Sequence, residues 1–229
     1  MAVLGVGLVS SSAVIVGGIR RANDTITVTG ASTERITSDH ADWVVQVSGV
    51  GPSQQASYQG LQPLVQQTLA YLRAEGIQPA AISLDAVRAE LTEVRDPRTG
   101  ELRSSSWTSR QPIRISSGDV GRINAVAGRI GNLIAQGVPL SIEAPAYTYS
   151  KLADKRVDML AKATRDARDR ARAIAREAGS HIGAITKADT GSFQITAPNS
   201  TEMGDFGSYD TRTVDKDITA VMVVTFRVQ

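Results

Sequence analysis

The segment 151–179 constrains the fold of this chain more than any other stretch. Projected at roughly 100° per residue, Leu160, Ala163, Ala167, Ala171, Ile174 and Ala178 fall on one side of a helix, and the arginines mostly fall on the other. Ser150 is suited to cap its start, and Gly179 stands where a left-handed residue would end it. An apolar side made largely of alanine lets a helix lie close to the surface it covers. The rest of the fold must therefore supply a sheet or helix for that face.

The same helix carries the charge asymmetry of the chain. It holds nine Lys or Arg against five Asp or Glu, a net of +4 in a protein whose total is only +2. Local partners are at hand: Asp158 precedes Lys162 by four residues, Asp166 precedes Arg170 by four, and Asp169 precedes Arg172 by three. Each such pair contributes about 0.2–0.5 kcal/mol on a helix surface. The helix has no aromatic residue on which a base could stack, which disfavours nucleic acid as a partner. The charges read as a solvated face, with contact to anionic lipid or another polyanion through Arg165, Arg168, Arg172 and Arg176 as the alternative.

Strands precede and follow this helix. Residues 24–30 and 41–49 are rich in β-branched side chains and each closes on a glycine, with a polar loop containing Asp39 and His40 between them. From Ser53 the spacing turns helical through Leu61, Leu64, Val65, Leu69 and Leu72, ending at Gly76; Pro63 puts the start either near Gln59 or at Ser53 with a kink. Residues 82–95 and 101–116 form a long hairpin around Asp96, Pro97 and Gly100.

A second helix follows Ser117, with Val120, Ile123, Ala127, Ile130 and Ile134 on one face and Gly137 at its end. Residues 138–149 alternate like a strand, which Pro145 confines to an edge or a bulge. After the third helix come two extended stretches and then 217–228, apolar on both faces and suited to a central strand. The predicted class is α+β: three main helices packed on a largely antiparallel sheet.

Chemical signals are sparse. The absence of cysteine excludes disulfides and thiolate sites, and His40 and His181 stand in no metal-ligand spacing. No nucleophile elbow, phosphate loop or dinucleotide fingerprint occurs, so no catalytic residue, metal or cofactor is assigned. Asp85, Glu90 and Glu93 alternate along one strand and read as a charged sheet face, although an unrecognised carboxylate-based enzyme site remains the competing class. The Gly-, Ser- and Thr-rich stretch 198–216 carries Met203, Phe206 and Tyr209, a composition suited to docking a partner.

Residues 2–19 are an uncharged apolar run followed by Arg20 and Arg21; as a helix it would span roughly 27 Å. Residues 1–21 thus read as a membrane anchor or uncleaved signal preceding a domain over 24–229. The arginine pair behind the run argues for a cytoplasmic domain.

The stretch "LAKATRDARDRARAIAREAGSHIGAI" resembles the signature helix of the SIMPL-domain family, relatives of the periplasmic immunogenic protein, and the sequence after it is similar to the ending of a bacterial branch of that family. The resemblance implies an α+β domain exported to the bacterial envelope behind a signal or single anchor. It also implies self-assembly, since some members form large rings, and a link to envelope or oxidative-stress defence. Export, as the resemblance implies it, opposes the reading from the arginine pair. The combined expectation is a membrane-anchored, non-enzymatic homo-oligomer whose protein partner is unknown.

Overall fold

A computed structural model describes residues 24–200 and 209–229. The apolar run 2–19 and the residues Met203 and Phe206 lie outside the described residues. Among those described, no helix is long and apolar enough to cross a membrane.

The chain gathers into two compact units. One comprises the described residues up to Ile36, Lys151–Asp210 and Asp215–Gln229; the other comprises Thr37–Ser150 and Thr211–Val214.

In the first unit, strands β1 (Thr25–Thr37), β8 (Ile182–Thr196) and β9 (Asp215–Val228) form a sheet in the order β1-β9-β8. The closing strand is central, as its apolar character predicts. It is antiparallel to β8, and side-chain pairs Thr27–Thr225 at 2.9 Å and Thr33–Thr219 at 3.0 Å run antiparallel between β1 and β9. Alternation then assigns the faces. Val28 and Ile36 of β1, with Ile218, Ala220, Val224 and Phe226 of β9, are buried, whereas Thr25, Thr27, Thr29 and Thr33 are exposed.

The third predicted helix, α4 (Leu152–Glu177), packs on the buried face. Its inward residues are Met159, Ala163, Ala167, Ala171 and Ala175, a strict four-residue row. Such a row runs obliquely, at roughly 26° to the helix axis. Met159 and Ala175 therefore replace the expected Leu160, Ile174 and Ala178, and Ile174 is left 52% exposed. Closeness, the reason for alanine, is visible at Gly30 of β1: a Cβ there would sit 2.2 Å from the Ala163 carbonyl oxygen and 2.4 Å from the Ala167 nitrogen.

The second unit is a sheet ordered β3-β5-β2-β6, with β4 also pairing β5 and β7 also pairing β2. Its strands are β2 (His40–Gly51), β3 (Ile82–Leu84), β4 (Arg88–Arg95), β5 (Leu102–Ser117), β6 (Leu140–Ile142) and β7 (Ala146–Thr148). Helix α1 (Gln54–Ala74) and the short α2 (Val120–Ala127) and α3 (Gly131–Ala135) supply its core with Leu61, Val65, Leu72, Ile123, Val126 and Leu133, against Trp43, Val45, Ile113 and Ile115 of the sheet. Ser57 of α1 and Ser109 of β5 hydrogen-bond at 2.8 Å inside it. The helix comes close enough at β2 that a Cβ on Gly49 would meet Leu61 N at 2.6 Å.

Several boundaries differ from expectation. The polar stretch 31–37 continues β1, because Ser32 reaches Met159 Sδ and Glu34 reaches lysines of α4, so its polar side chains are satisfied within the strand. Helix α1 begins at Gln54, where Ser53 accepts from Ala56 N, and Pro63 lies inside it. The second predicted helix breaks between Ala127 and Gly131, which buries Leu133 and leaves Ile134 outside. The strand expected over 82–95 is divided into β3 and β4, and that over 138–149 into β6 and β7 around Pro145. Ser150 does not cap α4; its N–H and hydroxyl both donate to Asp39 at 2.7 Å.

Candidate functional site

The four arginines singled out in the sequence come together on α4. Arg165, Arg168, Arg172 and Arg176 are all exposed and, at 3.6 residues per turn, share an arc of roughly 80° opposite the alanine row. All three predicted local pairs form: Asp158–Lys162 at 2.8 Å, Asp166–Arg170 at 2.8 Å and Asp169–Arg172 at 3.4 Å. Arg165, Arg168 and Arg176 have no ion-pair partner among the described residues.

The acidic partners also fasten the helix to its sheet. Asp166 accepts the backbone N–H of Ala31 at 2.8 Å, and this bond, ahead of Arg170, holds its carboxyl below the ordinary aspartate value. Glu34 of β1 accepts from Lys155 and Lys162, and these hydrogen bonds lower its pKa against the opposing effect of burial. The basic helix is thus clamped by carboxylates reaching across its flanks.

The second predicted feature is the stretch 198–216, and its two feet are tied to the sheet of the first unit. On the leading side, Asn199 adopts φ 58°, a left-handed conformation that asparagine tolerates better than most residues. Its N–H donates to Asp217 at 3.0 Å, and Arg35 grips both Asp217 oxygens at 2.9 and 3.2 Å. On the trailing side, Tyr209 forms a parallel bridge with Ile195, and Asp210 N donates to Ile195 O at 3.0 Å.

Lys216, fully buried on β9, reaches Asp210 at 3.5 Å and lies 5.8 Å from the Tyr209 ring centroid. Burial lowers its pKa, and Asp210 partly restores it. Sequence reasoning missed Lys216. The signal was present, since it is the one charged residue in phase with Ile218, Ala220, Met222, Val224 and Phe226.

In the second unit, the alternating carboxylates are matched by arginines: Asp85 by Arg114 at 2.7 Å, Glu90 by Arg110 at 2.8 Å and Glu93 by Arg95 at 2.8 Å. They do not make the single charged sheet face expected: Asp85 lies between β3 and β4, and Glu90 and Glu93, three residues apart on β4, point to opposite faces, each carboxylate paired with its own arginine. His40 stands with a serine and an aspartate, but not in catalytic order. Ser116 Oγ donates to Asp42 at 2.7 Å, and His40 Nε2 meets that same oxygen atom of Ser116 at 2.9 Å. A nucleophilic triad needs the imidazole between the other two, one nitrogen facing each. Here the serine bonds the carboxylate directly.

The hairpin of β4 and β5 supplies a surface that sequence reasoning did not assign. Beyond Ala89 its outer strand is exposed on both faces, as is β5 over residues 102–105. Leu91, Val94 and Leu102 are 42%, 51% and 50% exposed, and Leu91 lies opposite the half-buried Trp107. On the helix side of its base lies a hollow of about 440 Å³ lined by Gln54, Tyr58, Val87 and Ala89.

A family model described as SIMPL, protein of unknown function (DUF541), matches residues 26–226. The chain belongs to the SIMPL family. No curated protein matches it in sequence. The match spans both compact units, so the SIMPL fold here includes the second unit between β1 and α4 as well as the signature helix.

Proposed function

We propose that this SIMPL-family chain works without catalysis, by self-assembly into a homo-oligomer. It is held at the membrane by residues 2–19, with its domain on the extracytoplasmic side, and serves envelope or oxidative-stress defence. The observation that carries the reading is the β4–β5 ribbon. A free strand edge with exposed leucine and valine on a two-stranded arm is a template for pairing with another chain. Such an arm is marginal alone and gains most from a partner.

The ion-paired carboxylates and the out-of-order His40, Ser116 and Asp42 group favour this reading over a carboxylate-based or serine enzyme. The test is the mass of the full chain in detergent, by light scattering, with and without Leu91→Lys and Val94→Lys. Loss of the oligomer in the double variant supports the reading. An oligomer of unchanged mass removes the ribbon from assembly.

A second reading rests on the arginine stripe of α4. Arg165, Arg168 and Arg176, unpaired among the described residues, suit contact with anionic lipid headgroups beside the anchor.

A further inference from the structure

On the sheet face turned away from α1, β4 and β5 bring two arginines into direct opposition. Arg88 pairs with Arg110 in the antiparallel register, and Ser48 of β2 stands on the other side of Arg110. Opposed side chains in such a ladder have Cβ atoms about 5 Å apart, and like charges there destabilise the pairing. A single carboxylate answers the two cations: Glu90, two residues along β4 on the same face, accepts from Arg110 Nη1 at 2.8 Å. The side chain of Arg88 has no hydrogen-bond or ion-pair partner among the described residues, and neither does that of Gln46. The nearby Arg114 differs, being paired with Asp85 at 2.7 Å.

These groups line a concavity. Gln46, Arg88, Glu90, Arg110 and Pro112 enclose a groove of about 280 Å³. Pro112 lies opposite Gln46 and contributes a compact ring, so the floor is low between the long arginine walls. Two guanidinium groups and an amide face this space, with donor capacity that Glu90 alone leaves unused.

We propose that this groove binds a small phosphate-type oxyanion, inorganic phosphate or the phosphate of a monoester, bridged by Arg88 and Arg110. The planar guanidinium presents paired N–H donors that match two oxygens of such an anion. A dianion removes the repulsion between the two cations that Glu90 only half neutralises. Gln46 supplies a neutral donor at the floor. The volume suits a small ligand, lying just under the usual range for drug-sized molecules. The inference does not depend on self-assembly or on the membrane side of the domain.

The test is titration of the full chain with inorganic phosphate at neutral pH, followed by calorimetry. The parent binds saturably at one site per chain. Arg88→Gln and Arg110→Gln each weaken binding by about tenfold or more, the scale of losing a charge-assisted hydrogen bond. Glu90→Gln, which removes the competing carboxylate, strengthens binding about threefold or more, a gain that misfolding cannot mimic. Arg114→Gln stays within about twofold of the parent, because its guanidinium is committed to Asp85 outside the groove. Succinate binds more weakly than phosphate. Four results overturn the proposal: no saturable binding by the parent, Arg88→Gln binding like the parent, Arg114→Gln losing as much as Arg88→Gln, or succinate binding as well as phosphate.

Discussion

Adding one methyl group at Gly30 tests why α4 is built from alanine. In Gly30→Ala the new Cβ would meet the Ala163 carbonyl oxygen at 2.2 Å, the Ala167 nitrogen at 2.4 Å and the Ala167 Cβ at 2.7 Å. Ordinary contacts begin near 3.4 Å, so the helix must retreat from β1 by roughly 1 Å. Two of the three obstructing atoms are backbone, and no rotamer change relieves them. Overpacking alone costs about 1–3 kcal/mol. A gap of 0.5–1 Å also forfeits about a quarter to a half of each dispersion contact along the alanine row. Together these put the loss at about 3 kcal/mol, or on the order of 10–20 °C in Tm for a unit of this size.

The assay is urea and thermal unfolding by circular dichroism, with Gly60→Ala as the matched control. Gly60 lies inside α1, where an added Cβ meets only Val50 O at 4.0 Å. That change should stabilise by about 0.5–1 kcal/mol through helix propensity. If Gly30→Ala unfolds within about 0.5 kcal/mol of the parent, the close backbone approach and the role given to the alanines are wrong.

Four further outcomes are expected. Asp210→Ala removes the carboxylate that the buried Lys216 ammonium reaches at 3.5 Å and costs about 2–4 kcal/mol, whereas Lys216→Met, which removes the charge altogether, costs less; equal losses in chemical denaturation would contradict the pairing. Because the folded-state pKa of Glu34, Asp166 and Asp217 is depressed, their contribution is present above the unfolded carboxylate values and is lost as pH falls through the folded ones. Urea midpoints should therefore fall on acidification below about pH 4, and Glu34→Gln should flatten that fall. If the arginine stripe contacts lipid, replacing Arg165, Arg168 and Arg176 by Gln lowers adsorption of the full chain to anionic vesicles, and added salt lowers it for the parent; equal adsorption by parent and variant at low salt dismisses the contact. Ser57→Ala strands the buried Ser109 hydroxyl and costs about 1–3 kcal/mol, measured by the same unfolding assay, while the double change to alanine costs less than the sum.

The class of fold, the central place of the last strand and the local ion pairs of α4 were legible in the sequence, because each rests on a short-range period. The alanine row was legible only in part. Ideal projection chose Leu160 and Ile174, while the oblique four-residue row chose Met159 and Ala175, a difference that depends on how the helix crosses its sheet. Strand β1 was cut short for a similar reason. Ser32 and Glu34 look like loop residues until α4 supplies their partners, which lie 121 to 128 residues away in sequence.

The candidate surfaces divide the same way. The arginine stripe follows from helix geometry alone, whereas composition marks Tyr209 only as a residue suited to docking and gives no sign of its backbone bridge to Ile195. The opposition of Arg88 and Arg110 depends on hairpin register, and the turn at Asp96–Gly100 does not fix that register without the bulge between Val94 and Arg95. Lys216 was hidden because a lysine at a strand's start reads as a solvated end, whereas here it is buried and reaches Asp210, six residues earlier.

The most direct test of self-assembly is the mass of the full parent chain, measured by light scattering in mild detergent over a range of concentrations. The expected result is a discrete homo-oligomer that persists on dilution and falls to the protomer when Leu91 and Val94 are both changed to lysine. A monomer at every concentration contradicts it.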